Sequence, residues 1–214
     1  MADTSKTEEQ EALEAGRKLF AQECRFIAGA MALEALPPPS LPEIAFAGRS
    51  NVGKSSLVNA LTGRKTLAKV SSMPGRTQQI NFFDLGGRLM LVDLPGYGYS
   101  KVGKAKSALW TATTQVFLKG RPTLRRVMLL IDARRGPNAH DRAAMDQFDE
   151  AAVSFQAVLT KADKVEPDDL AQLLKSLAKE LAGHVAAHPD IAVTSAYDGT
   201  GIPALRAALA ELAQ

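Results

Sequence analysis

Gly48-Arg-Ser-Asn-Val-Gly-Lys-Ser-Ser56 lies between an apolar run, Ile44 to Ala47, and an amphipathic stretch whose Leu57, Val58 and Leu61 share one face before Gly63. It fits G-x-x-x-x-G-K-[ST], and a strand before it with a helix after it is the context in which that pattern has a mechanism. The glycines let successive backbone N–H groups curl around an anion, and the helix N-terminus adds partial positive charge, so the expected guest is a phosphate. On this reading Gly48, Arg49, Ser50, Asn51, Val52 and Gly53 form the cradle, and Lys54 reaches the β- and γ-phosphates. Ser55 is placed to ligate Mg2+ through its hydroxyl, and Ser56 to bond the α-phosphate.

Outward from this loop the chain alternates short apolar runs with amphipathic stretches, the pattern of an α/β layered domain. The predicted strands are Ile44 to Ala47, Ile80 to Leu85, Leu89 to Asp93, Val127 to Asp132, Phe155 to Thr160 and Ile191 to Thr194. Gly86-Gly87 takes the positive φ of a tight hairpin, so the second and third strands are expected to pair antiparallel. The expectation is a mixed, mostly parallel six-stranded sheet with one antiparallel strand and helices on both faces. Leu170, Leu173, Leu174, Leu177 and Leu181 keep helical spacing after Pro167, and Leu205, Leu209 and Leu212 stripe the last helix; both sets read as core. Arg25 to Ala30 fits an edge strand, and Leu36 to Pro42, LPPPSLP, is a stiff connector.

Residues 1–22 are expected to be an acidic tail or frayed helix, too charged to bury much surface, and residues 23–214 one domain. The lone Cys24 excludes an internal disulfide and reads as a small core residue. No run is long and apolar enough for a membrane span, and the start is acidic where a secretory signal would be basic and then apolar, so the expected location is cytoplasmic. His140, His184 and His188 stand in no constellation and read as surface residues; Trp110, Phe82 and Phe83 read as core.

A phosphate cradle does not choose between ATP and GTP, but three later stretches at strand ends do. Asp93-Leu94-Pro95-Gly96 places a carboxylate at the carboxyl end of a strand, where ligands of such sheets collect. Asp93 can hold Mg2+ through water, and the Gly96 N–H can face the γ-phosphate. Thr160-Lys161-Ala162-Asp163 supplies a second carboxylate, which accepts from the N1–H and exocyclic amine of guanine; adenine presents a lone pair and a C–H there, a mismatch of about 10⁴-fold. The Lys161 stem can lie along the base, and in Thr194-Ser195-Ala196 the backbone N–H of Ala196 suits guanine O6. Four motifs in this order make a GTP/GDP site the economical reading.

The stretches PEIAFAGRSNVGKSSLVNAL (42–61), SSMPGRTQQINFF (71–83), LVDLPGYGYSKV (91–102) and LTKADKV (159–165) together resemble the EngB family of translation-factor-like GTPases. The resemblance extends from about Arg25 to the last helix. It implies a Ras-like P-loop GTPase fold, GTP and GDP binding with Mg2+, a role in assembling the large ribosomal subunit, and a linked requirement in cell division and septation. It also implies that Gly75, Arg76, Thr77, Gln78 and Gln79 join the nucleotide site, with the Thr77 hydroxyl completing the Mg2+ shell; spacing alone places Thr77 in a polar loop between helix and strand.

For hydrolysis, Lys54, Thr77, Gly96 and Asn51 are the candidate catalytic residues. Many GTPases position water with a glutamine after the glycine of DxxG, but Tyr97 stands here, and a phenol near its ordinary pKa of about 10 is a poor base. Intrinsic turnover is therefore expected to be slow, with Tyr97 either catalytic or packed against the core or a partner. In GTPases resembling this one, an asparagine at the place of Asn51 helps hold K+ beside the phosphates; the alternative job for Asn51 is shaping its loop by side-chain to backbone bonding. From Leu94 to Ile131 there is no Asp or Glu, while Lys101, Lys104, Lys106, Lys119, Arg121, Arg125 and Arg126 all fall there; Lys101, Lys104 and Lys106 directly follow DLPGYGYS, the second switch region, and Arg64, Lys65, Lys69 and Arg76 bracket the first switch, around Thr77. Such clustering fits phosphate contacts to RNA, so the expected partner of this monomer is the pre-50S subunit through rRNA, not DNA or a membrane. A regulatory GTPase bound to a non-ribosomal division partner is the alternative, and a small-molecule kinase is disfavoured by DLPG and TKAD.

Overall fold

Continuous apolar runs become the middle of a twisted sheet because they are covered on both faces. The computed structural model describes residues 2–64, 79–97 and 113–214. The strands are β1 (Cys24–Ala30), β2 (Glu43–Gly48), β3 (Ile80–Leu85), β4 (Leu89–Asp93), β5 (Leu124–Asp132), β6 (Phe155–Thr160) and β7 (Ala192–Val193). The helices are α1 (Ala2–Phe20), α2 (Lys54–Thr62), α3 (covering residues 113–120), α4 (Ala139–Glu150), α5 (Pro167–Leu181) and α6 (Ile202–Glu211).

Among the described residues the sheet order is β1-β3-β4-β2-β5-β6-β7, seven strands where the sequence reading counts six. The added strand is the candidate edge segment, which pairs antiparallel with β3 and bulges between Phe26 and Ala28. Its exposed middle carries no clean alternation, so hydrophobic periodicity gave it little weight. Strand β3 is antiparallel to both neighbours, and the other pairs are parallel. At the β3–β4 hairpin Gly86 and Gly87 have φ of 62° and 67°, the geometry their pairing requires.

Alternate strand residues feed two cores. Ile44, Phe46, Leu89, Leu91, Met128 and Leu130 meet α1, α2 and α6 on one face. Ala45, Ala47, Val127, Leu129 and Leu159 meet α3, α4 and α5 on the other. The predicted leucine stripes lie in these layers, with Leu177, Leu181, Leu205 and Leu209 fully buried. Cys24 is buried as expected, and burial pushes its thiol up to about 11, which removes it from thiolate chemistry at neutral pH.

The N-terminal segment departs from a solvated tail. Residues 6–11, with Glu8, Glu9 and Glu11, are exposed, but Gly16, Leu19 and Phe20 are buried against α6. A Cβ on Gly16 would lie 2.5 Å from the backbone nitrogen of Ala207, so the two helices touch through backbone there. Arg206 of α6 caps the carbonyls of Leu61 and Ala60 at 2.8 and 2.9 Å and stacks its guanidinium on the Phe20 ring, joining α1, α2 and α6. Burial of Leu19 and Phe20, roughly 1.5–3 kcal/mol each, outweighs the charge of the preceding turns.

His184 also differs from a surface residue. Its Nδ1 lies 2.6 Å from Asp149 Oδ2, and its ring packs edge-on against Phe155.

Candidate functional site

The phosphate end is built where β2 stops. Asn51 (φ 66°) and Gly53 (φ 111°) take left-handed conformations, the chain turns, and α2 starts at Lys54 with no side chain capping its N-terminus. An uncapped helix start leaves backbone donors and partial positive charge directed at the loop, the arrangement that binds anions. Lys54 Nζ is ion-paired with Asp93 Oδ1, and the two side chains are only 10% and 7% exposed. The lysine read as a phosphate ligand and the carboxylate read as a metal ligand thus satisfy each other.

Beyond β4 the chain stays zipped to the loop. Leu94 N–H donates to Phe46 O at 3.0 Å, Tyr97 N–H to Gly48 O at 3.3 Å, and Ser50 N–H to Tyr97 O at 3.3 Å. Gly96 is pressed against Ser50, whose nitrogen would lie 3.1 Å from a Cβ at that position. The structure therefore brings Gly48, Arg49, Ser50, Gly96, Lys54 and Asp93 to one corner of the sheet. No group of three or more His, Cys, Asp or Glu able to hold a metal occurs among the described residues. The donors at this corner, the Asp93 carboxylate and the Ser55 hydroxyl, suit a Mg2+ whose shell is mainly water and phosphate oxygen.

The base end is wired by side chains. Thr160 Oγ1 donates to Val52 O at 2.7 Å, tying the end of β6 to the phosphate loop. Lys161, itself at φ 60°, donates through Nζ to Asn51 O at 2.8 Å and to Asp132 Oδ2 at 2.7 Å, so its stem spans from β6 to the cradle. Ser195 Oγ donates to Asp163 Oδ1 at 2.7 Å, orienting the carboxylate assigned to guanine, while Ala162 N–H donates to Thr194 O at 3.1 Å. Ala196 follows on the exposed loop.

Two carboxylates here escaped the sequence reading. Asp132, at the carboxyl end of β5, is 7% exposed and is held by Arg134 and Lys161. Burial alone would raise its pKa, but the hydrogen bonds from Arg134 and Lys161 prevail and hold it well below the usual carboxylate range. Its signal, an acid closing an apolar strand, was the one that marked Asp93. Asp141, in the first turn of α4, accepts the Tyr97 hydroxyl at 2.8 Å. Burial, then the Asp141 charge and hydrogen bond, push the Tyr97 phenol far above its ordinary pKa, so it does not act as a base at neutral pH.

Asn51 shapes its loop through its backbone: its carbonyl receives Lys161, and its φ is left-handed. Gln79 lies beside Gly29 and bonds Asn81 at 3.0 Å. Gly75, Arg76, Thr77 and Gln78, with Lys65, Lys69, Lys101, Lys104, Lys106 and Trp110, lie outside the described residues. Of the basic stretch, Arg121 is not available to a partner: it is 7% exposed, clamps Glu43 at 2.5 Å and bonds Pro37 O at 2.7 Å. Lys119 and Arg125 are exposed. No helix among the described residues is long and apolar enough to cross a membrane.

Fold and site define a P-loop GTPase. Residues 43–161 match the family described as 50S ribosome-binding GTPase. The probable GTP-binding protein EngB of Rhodospirillum rubrum is 55% identical over 217 residues, covering 99% of this chain and 94% of the relative. That of Granulibacter bethesdensis is 58% identical over 201 residues, covering 94% and 90%. A crystal structure of a probable GTP-binding protein engB superposes with a TM-score of 0.64 at 23% identity, covering 80% of this chain and 98% of that one. Era in complex with MgGDPNP and nucleotides 1506–1542 of 16S ribosomal RNA has the same fold, with a TM-score of 0.63 at 21% identity over 81% of this chain and 57% of that one. The chain belongs to the EngB family of GTP-binding proteins and is a GTP hydrolase.

Proposed function

We propose that this GTPase is a slow, nucleotide-dependent switch that docks on the pre-50S subunit in its GTP state and leaves after hydrolysis. The observation that carries the reading is the match of residues 43–161, cradle to base-reading lysine, to a family described by ribosome binding. On arrival of GTP, Lys54 exchanges Asp93 for the β- and γ-phosphates. Ser55, Thr77 and, through a water, Asp93 would hold Mg2+, and the Gly96 N–H would face the γ-phosphate. Mg2+, when bound, neutralises charge on the phosphate oxygens.

Asp163 reads N1 and the exocyclic amine, Ala196 reads O6, and Lys161 lies along the base. The exposed Asn51 offers K+ a ligand beside the cradle, with faster turnover in KCl than in NaCl as its signature. Acting on pre-50S particles, the protein would be a cytoplasmic monomer, and a cell-division and septation requirement would follow from ribosome supply. The basic residues around the switches, with Lys119 and Arg125, would meet rRNA phosphates.

Co-sedimentation with pre-50S particles, in the presence of a GTP analogue, GDP or no nucleotide, tests the reading. Binding is expected with the analogue and should weaken with salt. Failure to bind in every state would overturn the ribosomal role and favour a division partner.

A further inference from the structure

Tyr97 is anchored at both ends. Its backbone is bonded to Gly48 and Ser50 in the phosphate loop, and its half-buried side chain crosses to α4, where the hydroxyl meets Asp141. Asp141 is 3% exposed, and both its oxygens are used. Oδ1 accepts the Tyr97 hydroxyl at 2.8 Å, while Oδ2 accepts the N–H of Asn138 at 2.9 Å; Asn138 in turn caps α4 in a reciprocal box. The carboxylate is thus fixed by the start of a helix rooted in the second core, through Met145 and Phe148. Gly96, the residue before Tyr97, is the backbone pressed on Ser50. A rigid strut therefore runs from α4 through the phenol to the residue beside the cradle.

We propose that Asp141 is a positioning residue for γ-phosphate recognition: by holding the Tyr97 hydroxyl it keeps the Gly96 N–H against the phosphate loop. This rests on the reading of Gly96 as the γ-phosphate contact. A tyrosine thus replaces water-orienting chemistry with a mechanical anchor, and the device discriminates nucleotides, since GDP has no atom for Gly96 to meet. Capping alone requires Asp141 but not Tyr97; the strut requires both.

Tyr97→Phe removes only the hydroxyl. It should weaken a non-hydrolysable GTP analogue about tenfold, as expected for loss of a hydrogen bond to a charged acceptor, and leave GDP affinity within about twofold. Asp141→Asn, whose amide oxygen still caps Asn138 N–H while its amide N–H can donate to the phenol oxygen, should weaken the analogue less than Tyr97→Phe does, and the double variant should be no worse than Tyr97→Phe. Unchanged analogue affinity in Tyr97→Phe, equal losses for both nucleotides, or tighter analogue binding would overturn the proposal. Gly96→Ala separates the two layers of the argument. If it weakens the analogue alone while Tyr97→Phe does not, the strut fails and the γ-phosphate reading stands. If it treats both nucleotides alike, the γ-phosphate reading fails and the strut with it.

Discussion

The two ends of the nucleotide site are prepared differently. At the base end, Thr160, Lys161, Ser195 and Asp163 already make the contacts that orient them, and all of those contacts can persist when guanine arrives. At the phosphate end, the charged groups with most to do, Lys54 and Asp93, are engaged with each other. One end is set in advance by its own hydrogen bonds; the other neutralises itself and has to exchange partners. On the proposed reading, selectivity for guanine is stored in a pre-oriented element, while engaging the phosphates requires Lys54 and Asp93 to part.

The largest expected effect is at the rigid end. Asp163→Asn loses the acceptor for guanine N1–H and amine, so GTP affinity should fall by about 10⁴-fold, while xanthosine triphosphate, whose 2-oxo group suits an amide donor, should gain. Because Ser195 can still bond an asparagine, the melting temperature without nucleotide should barely move. A GTP loss of only a few-fold in nucleotide titrations would break the assignment.

Lys54→Ala should be next, with GTP turnover about 10²-fold slower or worse. Unlike Asp163→Asn it should also destabilise the nucleotide-free protein by about 3–5 kcal/mol, since it leaves Asp93 buried and unpaired. Denaturant unfolding checks this; an unchanged midpoint would mean that the ion pair does not hold the empty site.

Asp132→Asn weakens the hold on Lys161, and about a tenfold loss of affinity for both GTP and GDP is expected, without a change in their ratio. It also carries a pH signature. A carboxylate held below its unfolded pKa contributes stability above that pKa and loses it as pH falls. The stability gap between wild type and Asp132→Asn should be flat from neutral pH down to about 5 and narrow below about 4. A gap that widens with acid would reverse the assignment.

The smallest effect on nucleotide should come from Gly16→Ala, far from both ends. Its methyl group would meet the Ala207 backbone and should cost about 1–3 kcal/mol of stability with nucleotide affinity unchanged. A coupled loss of affinity would mean that α1 communicates with the site.

Legibility from the sequence divides along physical lines. The loop between β2 and α2, the position of Asp93 at the end of β4 and the middle strands were readable because each is a local pattern: fixed spacing, an apolar run, a Gly-Gly hairpin. Strand β1 was weighted too low, since an edge strand with an exposed middle lacks alternation. The docking of α1 rests on Gly16, Leu19 and Phe20, three residues at the end of an acidic segment whose charge dominates any window. Arg121 looked available for RNA because its partner Glu43 is remote in sequence. Asp132 and Asp141 acquire their roles from Lys161 and Tyr97, partners that only the folded chain reveals.

The most direct measurement is a crystal structure of the full chain with GDP and Mg2+. The account predicts that Lys54 leaves Asp93 for the β-phosphate while the bonds from Lys161 to Asn51 O and from Ser195 to Asp163 persist, with base-end backbone shifts under about 1 Å. A retained Lys54–Asp93 pair, or a base end that rebuilds itself around guanine, would contradict it.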